Sequence, residues 1–249
     1  MPSSDKRVAL VTGAARNIGR AIATRLAADG LDLVLSARAD LEGVEETAAI
    51  ARQQGARTVV HMADLTDEHA VTGLVDAAAA AYDRLDVLVL NAAIRGNLPI
   101  SAVTLAEFRR VMAVNVEGPF LAVRAALTLL RQAEAGRIIT IGGLAGHAGV
   151  PQRPHVAASK AGLVGMTKSF AAELAPDGIT ANCVVPGLID TVRGASAGGA
   201  PAISQAHQSI LGRKGQPDEI AHVVSMLAAP LSGYMTGQTL HVSGGGYMP

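Results

Sequence analysis

The sequence predicts an α/β fold: a doubly wound parallel sheet with helices on both faces, in a single domain spanning residues 1–249. Three observations predict it. Short β-branched runs alternate with longer Ala-rich stretches along the whole chain. Most of those runs are near-continuously apolar rather than alternating, as strands covered on both faces must be. The third observation is composition. Hydrophobic residues make up 49% of the 249, aromatic residues only 2%, and Trp is absent. Ala, Val, Leu and Gly must therefore fill the core, which suits helices packed close to a sheet.

Taken in order, the runs at 7–11, 32–36, 57–61, 87–90, 137–141, 180–185 and 238–242 read as strands. The stretches 18–29, 42–54, 68–82, 105–133, 156–175 and 218–228 read as helices. No short-period repeat and no linker divides the chain. One stretch, 190–212, is irregular and rich in Gly, Ala and Ser. So long a loop in a compact domain reads as a substrate loop.

The first strand leads into Thr12-Gly13-Ala14-Ala15-Arg16-Asn17-Ile18-Gly19, and a helix follows at once. Gly13 permits the tight turn, and Gly19 lets the helix approach the strand. The backbone amides of Arg16, Asn17 and Ile18 then lie where a pyrophosphate meets a helix N-terminus. Asn17 stands where such loops often carry glycine, and Asn tolerates left-handed φ. This is a Rossmann-type dinucleotide turn, supported by its strand–turn–helix context.

The second strand ends in Ser36-Ala37-Arg38. A site for NAD calls for a carboxylate here, whereas an arginine accommodates a 2′-phosphate. Arg38, with Arg16 inside the turn, favours NADP(H) over NAD(H).

Lys+Arg 21 balances Asp+Glu 21, so bulk charge points to neither nucleic acid nor an anionic membrane as partner. A single cysteine, Cys183, excludes an internal disulfide and a multi-cysteine metal site. No metal-ligand spacing is present. The polar residues 1–7 run straight into the first strand without a signal-like apolar segment, and no apolar run approaches bilayer length. The expectation is a cytoplasmic protein acting on a small molecule.

Seven segments in register resemble the short-chain dehydrogenase/reductase family over nearly the whole chain. Residues 12–19 resemble its cofactor turn, and Asp64-Leu65 its adenine contact. Leu90-Asn91-Ala92-Ala93 resembles its Asn-Asn-Ala-Gly segment, with Leu90 and Ala93 as departures. Asn115 resembles the helix asparagine, and Ser159-Lys160-Ala161-Gly162 the lysine segment. Residues 182–191 resemble the segment that holds the nicotinamide carboxamide, through Pro186, Gly187, Ile189 and Thr191. Tyr234-Met235-Thr236-Gly237 and the Gly-rich end complete the set. The resemblance implies an NADP-dependent oxidoreductase and a homotetramer or homodimer, with helices 105–133 and 156–175 paired between subunits.

The resemblance also exposes a gap. The family places a tyrosine four residues before the lysine and a serine thirteen before that. Here those positions are Val156 and Gly143. Of the family's asparagine–serine–tyrosine–lysine set, Asn115 and Lys160 remain. A general acid contributes typically 10²–10⁴-fold, so its loss must be met or suffered.

Arg153, seven residues before Lys160, shares the lysine's helix face if the helix starts early enough; enoyl reductases of the family carry a tyrosine at this offset. Arg153 is suited to stabilising an enolate or a carboxylate. His155 is the best proton carrier by pKa, but lies about 140° round a regular helix from Lys160. It reaches the pocket only if the helix is distorted near Pro154. His147 is a weaker candidate. Arg95 and Arg193 hint at an anionic substrate, and residues 94–97 and 190–212 should line its pocket. Dienoyl-CoA reductases also lack the tyrosine and resemble this chain in a histidine beside its position.

Three functions are compatible with these residues: an oxidoreductase acting on a small carbonyl or activated alkene with a substituted proton donor, a non-catalytic nucleotide-binding protein, and a non-redox lyase or isomerase on the same scaffold. The first ranks highest, because the cofactor motifs are largely intact.

Overall fold

The computed structural model describes residues 6–192 and 208–249. Its strands are β1 (Val8–Thr12), β2 (Asp32–Ser36), β3 (Thr58–Val60), β4 (Val87–Leu90), β5 (Arg137–Ile141), β6 (Thr180–Pro186) and β7 (Thr239–Val242). They form one sheet in the order β3-β2-β1-β4-β5-β6-β7, and every pairing is parallel. The strand order reverses between β1 and β4, which opens a crevice beyond their C-terminal ends.

The helices are α1 (Asn17–Ala28), α2 (Leu41–Gln53), α3 (Glu68–Tyr82), α4 (Leu105–Met112), α5 (Gly118–Gln132), α6 (Pro154–Leu174) and α7 (Pro217–Ala228). Local chemistry fixes several starts. Asp40, Asp67 and Thr104 accept backbone N–H groups in the first turns of α2, α3 and α4. Pro154 occupies the first position of α6, where its missing N–H costs nothing.

The period of two along each strand sorts the core onto two faces. Ala9, Val11, Leu33, Leu35, Val87 and Val89 face α1, α2 and α7. Val8, Leu10, Val34, Leu88 and Ile138 face the layer of α3, α5 and α6. Both faces are covered, which is why the strands read as unbroken apolar runs.

One reading needs correction. The stretch 105–133 is not one regular helix. A π-helical turn, Ala113–Glu117, separates α4 from α5, and apolar periodicity does not register one inserted residue. The run Leu105–Gln132 is also long and apolar enough to cross a membrane by length and composition alone. Here its buried stripe, including Val111, Ala122, Val123, Ala126 and Leu130, is spent on the interior. Of the expected loop 190–212, residues 193–207, with Arg193, lie outside the described residues.

Candidate active site

A cleft of about 750 Å3 opens beyond the C-terminal ends of β1, β4 and β5. Its size falls in the range of small-molecule sites. Gly13, Arg16, Asn17, Ile18 and Gly19 line it, with Arg38, Asp64, Leu65, Asn91, Lys160, Pro186, Gly187, Ile189 and Thr191. Arg153 lines it too. Neither Asn115 nor His155 does.

The turn after β1 is built around contacts that no side chain could share. A Cβ at Gly19 would stand 2.0 Å from Gly13 O, and one at Gly13 would stand 2.9 Å from Ala92 Cα. Gly13 also sits at φ 66°, where a side chain is strained. Asn17 takes φ 51° and uses its amide twice. Its Nδ2 donates to Val192 O at 2.8 Å, and its Oδ1 accepts from Val192 N at 3.0 Å. The left-handed residue thus ties the turn to the segment entering 193–207. Asn91 closes the turn from behind, donating from Nδ2 to Thr12 O and Gly13 O, both at 3.0 Å. Thr12 Oγ1 accepts from the backbone N–H groups of Asn91 and Ala92. The sequence placed Thr12 at the head of the turn without giving its side chain a role; its position immediately before Gly13 at a strand end was the available signal.

At one end of the cleft, burial pushes the Asp64 carboxyl up. Two hydrogen bonds from Thr66 and the nearby Arg38 charge outweigh this and hold it below its ordinary value. Arg38 therefore stands within electrostatic reach of Asp64 at the exit of β2.

At the other end lies Lys160, buried, with Nζ donating to Ile141 O at 2.8 Å. Burial lowers its pKa first and Arg95 second, to about 8. Beside it, Gly143 leaves room: a Cβ there would lie 3.7 Å from Lys160 Cγ, an ordinary contact. Val156, also on the cleft wall, packs with Ile94 and Val111.

The other two expected residues point elsewhere. Asn115 is 1% exposed. It accepts from Ile94 N at 2.9 Å and donates to Ile94 O and Ser159 Oγ, both at 3.0 Å. Both amide hydrogens are used in pinning the exit of β4 to α6. His155 is fully buried and lies against Gly96, whose Cβ would come within 2.5 Å of its Nε2. Because α6 is regular from Pro154, the ring is carried round the helix, away from the lysine's side. Its ring nitrogens have no hydrogen-bond partner among the described residues, and burial lowers its pKa. Arg153 stays on the cleft wall, where its Nε donates to Asn97 Oδ1 at 3.4 Å. His147 packs with His241 and Tyr247, its ring centroid 4.5 Å from that of His241.

The model of a family described as enoyl-(acyl carrier protein) reductase matches residues 13–247. The chain belongs to the short-chain dehydrogenase/reductase family. It is 35% identical over 246 residues to a 3-oxoacyl-[acyl-carrier-protein] reductase of Synechocystis, covering 98% of each chain. A short-chain dehydrogenase/reductase of Hericium erinaceus is 38% identical over 247 residues, with 97% of this chain and 98% of the relative covered. Among solved structures, a dehydrogenase/reductase from Sinorhizobium meliloti superimposes with a TM-score of 0.90 at 36% identity, covering 99% of this chain and 97% of the other. Acetoin dehydrogenase from Salmonella typhimurium does so with a TM-score of 0.86 at 34% identity, covering 96% and 95%. The seven-stranded parallel sheet flanked by helices is the Rossmann-like fold of these neighbours.

Proposed function

We propose that this short-chain dehydrogenase/reductase is an NADP(H)-dependent oxidoreductase acting on a small carbonyl or activated alkene, with a proton donor other than tyrosine. One observation carries this reading. Lys160 is buried on the cleft wall between Gly143 and Val156, where among the described residues no serine or tyrosine hydroxyl stands at the family's positions, with its ammonium oriented by Ile141 O.

The chain fits the dinucleotide. The Gly13 and Gly19 cradle would be filled by any Cβ, and the turn feeds the N-terminus of α1, which favours phosphate. Arg38 would hold the 2′-phosphate and Asp64-Leu65 the adenine. Pro186, Gly187, Ile189 and Thr191 would hold the far end. When bound, the dinucleotide supplies or accepts the hydride. Lys160 holds a proton at Nζ beside the reacting space. With its pKa near 8 it is largely charged at neutral pH, yet a better acid than an exposed lysine. Lys160 and Arg153 together stabilise negative charge developing on a substrate oxygen. Asn115 positions the wall by fixing Ile94. His155 takes no part in this scheme.

The relatives named as 3-oxoacyl reductases and acetoin dehydrogenase support carbonyl chemistry, and the family description supports alkene reduction. A homotetramer or homodimer is proposed through the outer faces of α5 and α6. Ala158, Ala161, Gly162 and Gly165 leave the α6 face exposed and smooth enough for close approach.

The test is to mix the purified protein with NADPH and a panel of ketones, enones and enoyl thioesters, following cofactor absorbance and product together. Consumption of NADPH with a matching product supports the reading. Tight NADPH binding without any conversion indicates a binding protein instead, and conversion without a change in the cofactor indicates a non-redox enzyme.

A further inference from the structure

The substrate end of the cleft is built from apolar wall and positive charge. Ile94, Leu144, Val150 and Val156 supply the wall. Arg95, Arg153 and Lys160 supply the charge. The acids that line the cleft, Asp40 and Asp64, belong to the opposite end, where Asp64 interacts with Arg38. Among the described residues, no Asp or Glu lines the end around Lys160.

The three cations are graded in depth. Arg95 is exposed at the mouth, Arg153 is half-buried, and Lys160 is buried at the floor. The loop carrying Arg95 is fastened to the start of α6. Leu98 N donates to Gln152 O at 2.8 Å, and Asn97 Nδ2 donates to Gln152 Oε1 at 3.0 Å. Arg153 Nε reaches Asn97 from the other side. The arginines therefore sit on a braced wall and not on separate loops. Arg95 acts on Lys160 as a like charge, and an anion seated beside them relieves that repulsion.

We infer that the substrate carries a compact oxyanion, a carboxylate or a phosphate ester, seated between Arg95 and Arg153 with its apolar body against Val156. This rests on the reductase reading for the word substrate, but the oxyanion seat itself is a property of the apo cleft. Guanidinium groups suit the seat because their forked donors match an oxyanion's two acceptors.

The experiment is calorimetric. The protein, saturated with NADP+, is titrated with 3-oxobutanoate, with its methyl ester and with ethyl phosphate. The expected result is that at least one of the two anions binds roughly tenfold or more tightly than the neutral ester. Which anion wins identifies the oxyanion. Arg95→Met should weaken the anion by a similar factor and leave the ester unchanged, and Arg153→Met should weaken the anion more than the ester. An anion beside Lys160 raises its proton affinity, so binding at pH 8 should take up a fraction of a proton, seen as a heat that depends on the buffer. Equal binding of ester and anions, or anion binding indifferent to both substitutions, overturns the inference. Should NADP+ itself not bind, the reductase reading fails, and the same titrations on the apo protein still decide the oxyanion seat.

Discussion

Arg38 and Lys160 mark the two ends of the chemistry, and each makes a claim that a single substitution tests. Arg38 stands two residues beyond the end of β2 and lies near Asp64. Replacing it with alanine removes a charge-assisted partner for a 2′-phosphate. NADPH affinity should fall roughly 10- to 100-fold while NADH affinity changes little; fluorescence titration of both cofactors decides it. A similar loss for both would show that Arg38 reads only the shared part of the dinucleotide. Lys160, held to about 8 by burial and then by Arg95, must keep its proton to act as the acid. Activity should therefore fall as pH rises through about 8, because deprotonation removes both donor and charge. Lys160→Met should abolish turnover; if it does not, the proton comes from elsewhere. The conformation of the turn after β1 was legible because backbone geometry leaves a direct mark: glycine where a Cβ collides, asparagine where φ is positive. The side-chain directions of Asn115 and His155 were not legible, since they depend on the π turn and on where α6 begins.

At the scale of the element, α6 and the π turn decide what faces the cleft. The regular start of α6 at Pro154 puts Val156 and Lys160 on the cleft side and turns His155 inward to Gly96. On the proposed reading, Gly143 leaves room for the family's serine and Val156 borders the cleft where its tyrosine would stand. Gly143→Ser meets only ordinary contacts with Lys160. Val156→Tyr has the open cleft before it, though its contacts with Ile94 and Val111 set an overpacking cost of about 1–3 kcal/mol. The double variant should raise ketone reduction at least tenfold over the parent, measured as kcat/KM. No gain in a folded, cofactor-binding variant would mean that the substrate is not placed for a phenol at 156. Asn115 is the pin between elements. Asn115→Ala strands the N–H and C=O of Ile94 in the interior, a loss of about 2–5 kcal/mol that urea denaturation would register. A shift under 1 kcal/mol or so would mean that the bulge relaxes to satisfy them.

Across the whole molecule, the parallel sheet covered on both faces was readable because period and apolarity are summed over many residues. All seven predicted strands and five of the six predicted helices end within two residues of those observed, and the sixth helix is the one broken by a π turn. Global stability carries a further prediction. His147, His155 and His241 are all held below the ordinary imidazole pKa by burial, with His241 adding to the effect on His147. A group whose folded pKa is depressed leaves the unfolded chain binding more protons as pH falls. Stability should be full above about 6.5 and erode as pH drops below it. Urea midpoints at pH 7.5 and 5.5 should fall in that order, and His155→Leu should flatten the difference.

The central claim is that a cleft without the phenol still moves a hydride. Its most direct test is isotopic: NADPH deuterated at the transferring face of nicotinamide C4 is mixed with the protein and the ketone, enone and thioester panel, and the products are weighed by mass spectrometry. Deuterium on carbon in a reduced product, absent with Lys160→Met, is the result predicted. A protein that binds NADPH yet leaves every product unlabelled contradicts it.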